Sequence, residues 1–140
     1  MIRLTVRLVT LMVCFAFGSL LSQAQNQRSF VSGVGSDANP CTRTAPCLTF
    51  QAALFTTVAN GEINVLDPAT YGTVFIERSI TIDGTGTFAG ISGPGNGIII
   101  GINPVGPDVV HTVRLRGLSI SGAGINNKTG LNGIIVVTSV

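Results

Sequence analysis

A chain of 140 residues, 45% of them hydrophobic and 10% charged, has room for one ordinary domain, and for less once a targeting segment is removed. Eight Lys and Arg against six Asp and Glu, with a single His, leave no basic surplus of the size that nucleic acid or an anionic membrane would require.

The N-terminus has the layout of a cleavable signal peptide. Arg3 and Arg7 supply positive charge, Leu8 to Leu21 form an apolar run, and Ser22-Gln23-Ala24 offers small residues for the peptidase. The run is about 14 residues long, short of the ~20 of a spanning helix, and polar residues follow at once. Cleavage is expected between Ala24 and Gln25, giving an exported protein, secreted or held in the periplasm or at the cell surface, with no membrane span. The mature part then carries Arg28, Arg43, Arg78, Arg114, Arg116 and Lys128 against Asp37, Glu62, Asp67, Glu77, Asp83 and Asp108, so its net charge is zero. Cys14 leaves with the signal. Cys41 and Cys47 remain as an even pair in a chain bound for an oxidising compartment, and a disulfide is expected. Closing so short a loop contributes about 2 kcal/mol in the chain-entropy model. The rival reading, a zinc site, needs further Cys or His ligands, and His111 is the only histidine.

Residues 25–48 are rich in Gly, Ser, Asn and Pro and read as a lead-in loop. Residues 49–60 follow as the one helical candidate. Thr49 is placed as N-cap and Gly61 as the glycine just past the end, with Phe50, Leu54 and Val58 as one apolar stripe. Residues 61–140 alternate in short Ile, Val and Thr runs divided by Gly, Pro and Asn. Strands are expected at Ile63–Leu66, Val74–Glu77, Ile80–Asp83, Ile98–Gly101, Val113–Arg116, Leu118–Ser121 and Ile134–Val137.

These strands recur in order. Asn96-Gly97-Ile98-Ile99 returns at Asn132 after 36 residues, Ile80 to Gly86 returns at Leu118 after 38, and Val74 to Glu77 returns at Val113 after 39. A period near 37 residues is the mark of stacked repeats. The expectation is that Val74, Ile76, Ile80 and Ile82 face inward over Val113, Leu115, Leu118 and Ile120. Gly84, Gly86, Gly122 and Gly124 would take corners with positive φ. On this register Phe75 stacks under Arg114 as a cation–π pair and Glu77 under Arg116 as an ion pair, each worth at most about 1 kcal/mol when exposed.

Phe30-Val-Ser-Gly-Val-Gly35, Asp37-Ala-Asn-Pro-Cys41, Ala45 to Leu54, Gly61-Glu-Ile-Asn-Val65, Tyr71-Gly72 and Ser79-Ile-Thr-Ile-Asp-Gly84 together resemble exported right-handed parallel β-helix repeat proteins of the pectin-lyase-like superfamily. The resemblance spans residues 28–140. It implies an all-β solenoid with three strands per coil, about two coils and the start of a third, and one short capping α-helix plugging the N-terminal end. It implies little about function, because the superfamily holds lyases, hydrolases, adhesins and proteins without assigned activity. Ile134 to Val140 has no polar cap, so missing C-terminal coils or a partner chain are expected over that end.

No catalytic, cofactor-binding or metal-ligating residue is assigned. A lyase of the fold would stack carboxylates on successive coils, but the repeat aligns Asp83 with Ser121 and Glu77 with Arg116. Asp67, Asp83 and Asp108 read as turn residues, and His111 as a surface loop residue before a strand. The glycine runs 84–90 and 93–97 lack the helix and Lys of a phosphate cradle. Asn127-Lys-Thr129 is a glycosylation sequon that matters only in a eukaryotic route. The expected function is a non-catalytic surface or secreted module, structural or carbohydrate-binding, with polysaccharide or cell-surface glycan as partner. The alternative is the capping portion of a polysaccharide lyase or glycoside hydrolase whose catalytic coils lie downstream.

Overall fold

The computed structural model describes residues 25–122 and 132–137. The expected signal, Ala24, Gly124 and the Asn127 sequon lie outside those residues. A short α-helix, α1 (Phe50–Thr56), accompanies ten strands. These are β1 (Asn26–Val31), β2 (Thr57–Val65), β3 (Ala69–Thr70), β4 (Val74–Ile76), β5 (Ile80–Asp83) and β6 (Ala89–Gly93), then β7 (Ile98–Ile100), β8 (Val113–Arg116), β9 (Leu118–Gly122) and β10 (Ile134–Val136).

The lead-in is not all loop. From Ser29 to Val31 burial alternates, with Ser29 and Val31 buried and Phe30 half-buried between them, as in a strand with one covered face. Thr49 is the N-cap as expected: its backbone is extended and its hydroxyl accepts from the Ala52 N–H at 3.2 Å. Phe50 and Leu54 are buried as the stripe requires. The helix nevertheless stops four residues before the expected end, so Val58 and Gly61 belong to β2. The cause is the run Thr56-Thr57-Val58. The two hydroxyls bond back to the Ala52 and Ala53 carbonyls at 2.8 and 2.6 Å. β-Branched side chains, with Asn26 of β1 as the ladder partner of Thr57, then favour strand over another helical turn.

Three sheets result, and every pairing in them is parallel. The first runs β1-β2-β5-β8, the second β4-β7-β10 and the third β3-β6-β9. From β2 onward the chain therefore visits first, third and second sheet, and repeats that order twice more. Parallel neighbours need a long crossover, and here each crossover is a visit to the other two sheets. The architecture is mostly β with one helix and is compatible with a β-helix-like fold.

The register corrects the uniform period. Only the 36-residue repeat is a true pairing, Ile98 with Ile134. Val74 pairs with Ile98 rather than Val113, and Val113 pairs with Ile80. Leu118 pairs with Ala89. Partners are 19 residues apart at Ile63 and Ile82 but 33 apart at Ile80 and Val113, because loops of different length join similar strands. The expected Phe75–Arg114 and Glu77–Arg116 pairs do not form across the ladder: Phe75 lies beside Ile99, Arg114 beside Thr81 and Arg116 beside Asp83. The only cation–π contact among the described residues is Arg43 over Phe30, at 5.7 Å. Of the expected corner glycines Gly86 has positive φ, +86°, and Gly84 does not. Gly117 is required at the one-residue corner between β8 and β9, with φ of +59° and the Thr85 N–H 2.6 Å from where a Cβ would stand.

The inward rows of all three sheets join in one core. Ile63 and Ile82, Val74, Ile76 and Ile98, and Ala89 and Ile91 are buried, with Val113, Leu115, Leu118 and Ile120 packed against them. The inward set was thus expected correctly even though its stacking was not. Phe50 and Tyr71 close one side of this core, with ring centroids 5.1 Å apart. The Cys41–Cys47 disulfide is formed. Tyr71 is fully buried, and its hydroxyl donates to the Asp67 backbone carbonyl and, at 2.9 Å, to the Asp67 carboxylate. Burial first, and then the neighbouring carboxylate, raise its pKa above the ordinary tyrosine value. Because this is the only tyrosine of the chain, phenolate absorbance reports on it alone. In the folded protein no absorbance step is expected near the ordinary pKa of about 10, while unfolding in denaturant brings the step back there. A folded-state midpoint near 10 would place Tyr71 in solvent and contradict the packing.

Candidate functional site

The outward face of the first sheet carries six of the twelve charged residues of the expected mature chain. Pairing places Arg28, Glu62, Thr81 and Arg114 in one row, and Phe30, Asn64, Asp83 and Arg116 in the next. The rows are about 7 Å apart and their members ~4.8 Å apart, as alternate residues on adjacent strands must be. Arg28 Nη2 meets Glu62 Oε2 at 3.1 Å and Arg116 Nη1 meets Asp83 Oδ2 at 3.4 Å. Arg43 lies over the Phe30 ring at the end of the second row. Four of the six basic residues of the expected mature chain therefore share this face with two carboxylates. Both ion pairs leave the guanidinium more than half exposed, so each contributes only about 0–1 kcal/mol and its charge stays open to a ligand.

The loop acids do different work. Asp67 accepts from the Gly33 N–H at 2.7 Å and from the hydroxyls of Ser32 and Tyr71, tying the exit of β1 to the exit of β2. The Ser32 hydroxyl, then the Gly33 N–H, hold its carboxyl below the ordinary carboxylate range against the opposing effect of burial. Asp83 ends β5 by accepting from the Thr85 N–H at 2.8 Å, the strand-ending turn expected at Asp83-Gly84. Thr85, and less strongly Arg116, lower its pKa. Asp108 is nearly buried. It accepts from the Ser79 N–H and, at 3.1 Å, from the Val110 N–H, while Ser79 Oγ accepts from the Thr112 N–H at 2.8 Å. Burial alone would raise its pKa, but the bonds from Ser79, Val110 and His111 outweigh it and the net shift is downward.

Through Asp108 the segment 101–112 is fastened over the β4–β5 corner. Beside it lies an open cleft of about 420 Å³, lined in part by Gln25, Glu77, Arg78, Asn103 and Asp108. His111 is exposed, with φ of +48°, two residues before the start of β8. Its backbone N–H bonds to Asp108, but among the described residues its imidazole pairs with no carboxylate or serine as a base would need. Among the described residues no three His, Cys, Asp or Glu side chains converge as metal ligands. No helix among them is long and apolar enough to cross a membrane.

The charged face was missed in the sequence because a 39-residue offset put Glu77, not Asp83, beside Arg116. The signal that could have found it is alternation: Arg114 and Arg116 in β8, Thr81 and Asp83 in β5, Glu62 and Asn64 in β2, all at i and i+2. Comparison of the chain with family models, curated proteins and solved structures finds no match.

Asp67 gives a pH test of the loop acids. Its folded-state pKa is depressed, so its stabilisation is full above the ordinary carboxylate pKa and is lost as pH falls through the depressed one. Asp67→Asn is expected to lower stability by about 1–2 kcal/mol at neutral pH and to flatten the fall in melting temperature below pH ~4. A variant with the same acid profile as the wild type would contradict this role.

Proposed function

We propose that this chain is an exported right-handed parallel β-helix, three strands per coil and capped by α1, that acts as a non-catalytic surface module. Its ligand is a carboxylate-bearing polysaccharide laid along the outward face of the first sheet. The reading rests on one observation: Arg28, Arg43, Arg114 and Arg116 share a face with only Glu62 and Asp83, although acids and bases balance over the expected mature chain. A planar guanidinium binds a carboxylate through two parallel hydrogen bonds, and a flat parallel sheet repeats such positions at a constant spacing.

Support for a non-catalytic role comes from the acids. Asp67, Asp83 and Asp108 each accept backbone N–H groups. The lyase or hydrolase alternative calls for carboxylates stacked on successive coils, whereas Asp83 stands between Asn64 and Arg116. Export agrees with the buried Cys41–Cys47 disulfide, which suits an oxidising compartment. The apolar Ile134 and Val136 extend the rows of Val74 and Ile76 but are exposed, and further coils or a partner chain would cover them.

Affinity electrophoresis in gels containing polygalacturonate or neutral dextran tests the reading. Retardation is expected in polygalacturonate only, weakening with added salt. The double variant Arg114→Glu/Arg116→Glu is expected to bind at least about tenfold more weakly while its stability changes by no more than about 1 kcal/mol. Equal retardation in dextran, or unchanged binding by the folded double variant, would reject the proposed face.

A further inference from the structure

Arg114 and Arg116 stand two residues apart on β8, both exposed on the outward face of the first sheet, and they differ in what lies beside them. The ladder partner of Arg114 is Thr81, which carries no charge, and among the described residues Arg114 has no ion pair. The ladder partner of Arg116 is Asp83, whose Oδ2 lies 3.4 Å from Arg116 Nη1.

Asp83 does not depend on that contact. Its other oxygen, Oδ1, accepts from the Thr85 N–H at 2.8 Å, and Thr85 lowers its pKa more than Arg116 does. Its ladder neighbour on the far side is Asn64, whose Nδ2 is buried without a partner. An orphaned amide donor is costly, and this one stands beside the carboxylate that Arg116 would leave. The Arg116 contact is itself weak, being long and with the guanidinium more than half exposed. The Arg28–Glu62 pair differs: it is shorter, at 3.1 Å, and Glu62 makes no other side-chain bond among the described residues.

We propose that Asp83 is an autoinhibitory residue of the charged face, a role that rests on the polysaccharide reading above. It occupies Arg116 in the free protein, and a ligand carboxylate must displace it to engage Arg114 and Arg116 together. Displacement exchanges one exposed ion pair for another, while Thr85 and Asn64 retain Asp83. Asp83 also stands within about 7 Å of a carboxylate bound between the two guanidinium groups, inside the screening length of ~8 Å at physiological salt, so its charge repels the ligand as well. Affinity on this face is thus lower than its arginines alone would give, and neutralising one side chain raises it.

Asp83→Asn keeps an acceptor for the Thr85 N–H and removes only the charge. In gels containing polygalacturonate this variant is expected to bind about fivefold more tightly than the wild type, the most that one exposed ion pair is worth. Arginine modification by phenylglyoxal, followed residue by residue with mass spectrometry, reads the same contact without a ligand. In the wild type Arg116 is expected to react about threefold more slowly than Arg114, and in Asp83→Asn the two should react alike. The wild-type comparison needs no variant at all. Equal rates in the wild type, or a difference that persists in Asp83→Asn, would overturn the hold on Arg116. Unchanged or weaker binding by Asp83→Asn, with the wild type bound, would overturn the inhibition and leave the face standing. A wild type that polygalacturonate does not retard rejects the charged face itself, and this role of Asp83 with it.

Discussion

Everything in this molecule depends on stacking one inward row on the next at the spacing of a parallel ladder. Ser29, Ile63, Ile82 and Leu115 form such a row across the first sheet, and Val74, Ile98 and Ile134 form one across the second. Each apolar side chain is covered by its equivalent on the neighbouring strand, and the backbone groups of each strand are satisfied by the same neighbours. Burial falls away where that cover stops. Ile63 and Ile82 are fully buried, Leu115 beyond them is only packed against the core, and Ile134 is about half exposed.

The same constraint applies at β1, the edge of the first sheet. A first row has no strand above it, so some other element must cover it and satisfy its edge. Helix α1 lays Phe50, Ala53 and Leu54 over the apolar side chains, and the disulfide loop takes the outward backbone groups of β1. Tyr71 then joins helix to sheet through Phe50, and Asp67 joins Tyr71 to the exits of β1 and β2. Hydrophobic cover and polar satisfaction are supplied by adjacent segments, residues 36–56, which is why the disulfide sits there and not among the strands.

Much of this was legible in the sequence, and the failures have physical causes. Strand runs with two branched aliphatic residues on one face, such as Ile80-Thr-Ile-Asp83 and Val113-Arg-Leu-Arg116, announce themselves and their inward sides. The Asn96 and Asn132 repeats found a true pair, whose side chains meet at 3.3 Å. The other two repeats were misleading because inward Ile and Val satisfy any of the three sheets, so similar strands need not be neighbours. β6, Ala89-Gly-Ile-Ser-Gly93, was invisible because its small residues suit the close packing they meet there and not an intrinsic strand preference. β3 is two residues long and carries no pattern at all. The charged face inherited the register error, since a face exists only once the strands are correctly paired.

Cross-linking of introduced cysteines tests the register most directly. Thr81 and Arg114 are ladder partners with side chains on the outward face, at a Cα separation a disulfide can span, about 4.4–6.8 Å. Oxidation of Thr81→Cys/Arg114→Cys is predicted to give an intramolecular bond in the folded protein. Phe75→Cys/Arg114→Cys, the pair that a uniform repeat would join, is predicted to give none. Cross-linking of the second pair and not the first would contradict the stacking on which the fold, the charged face and the cap all rest.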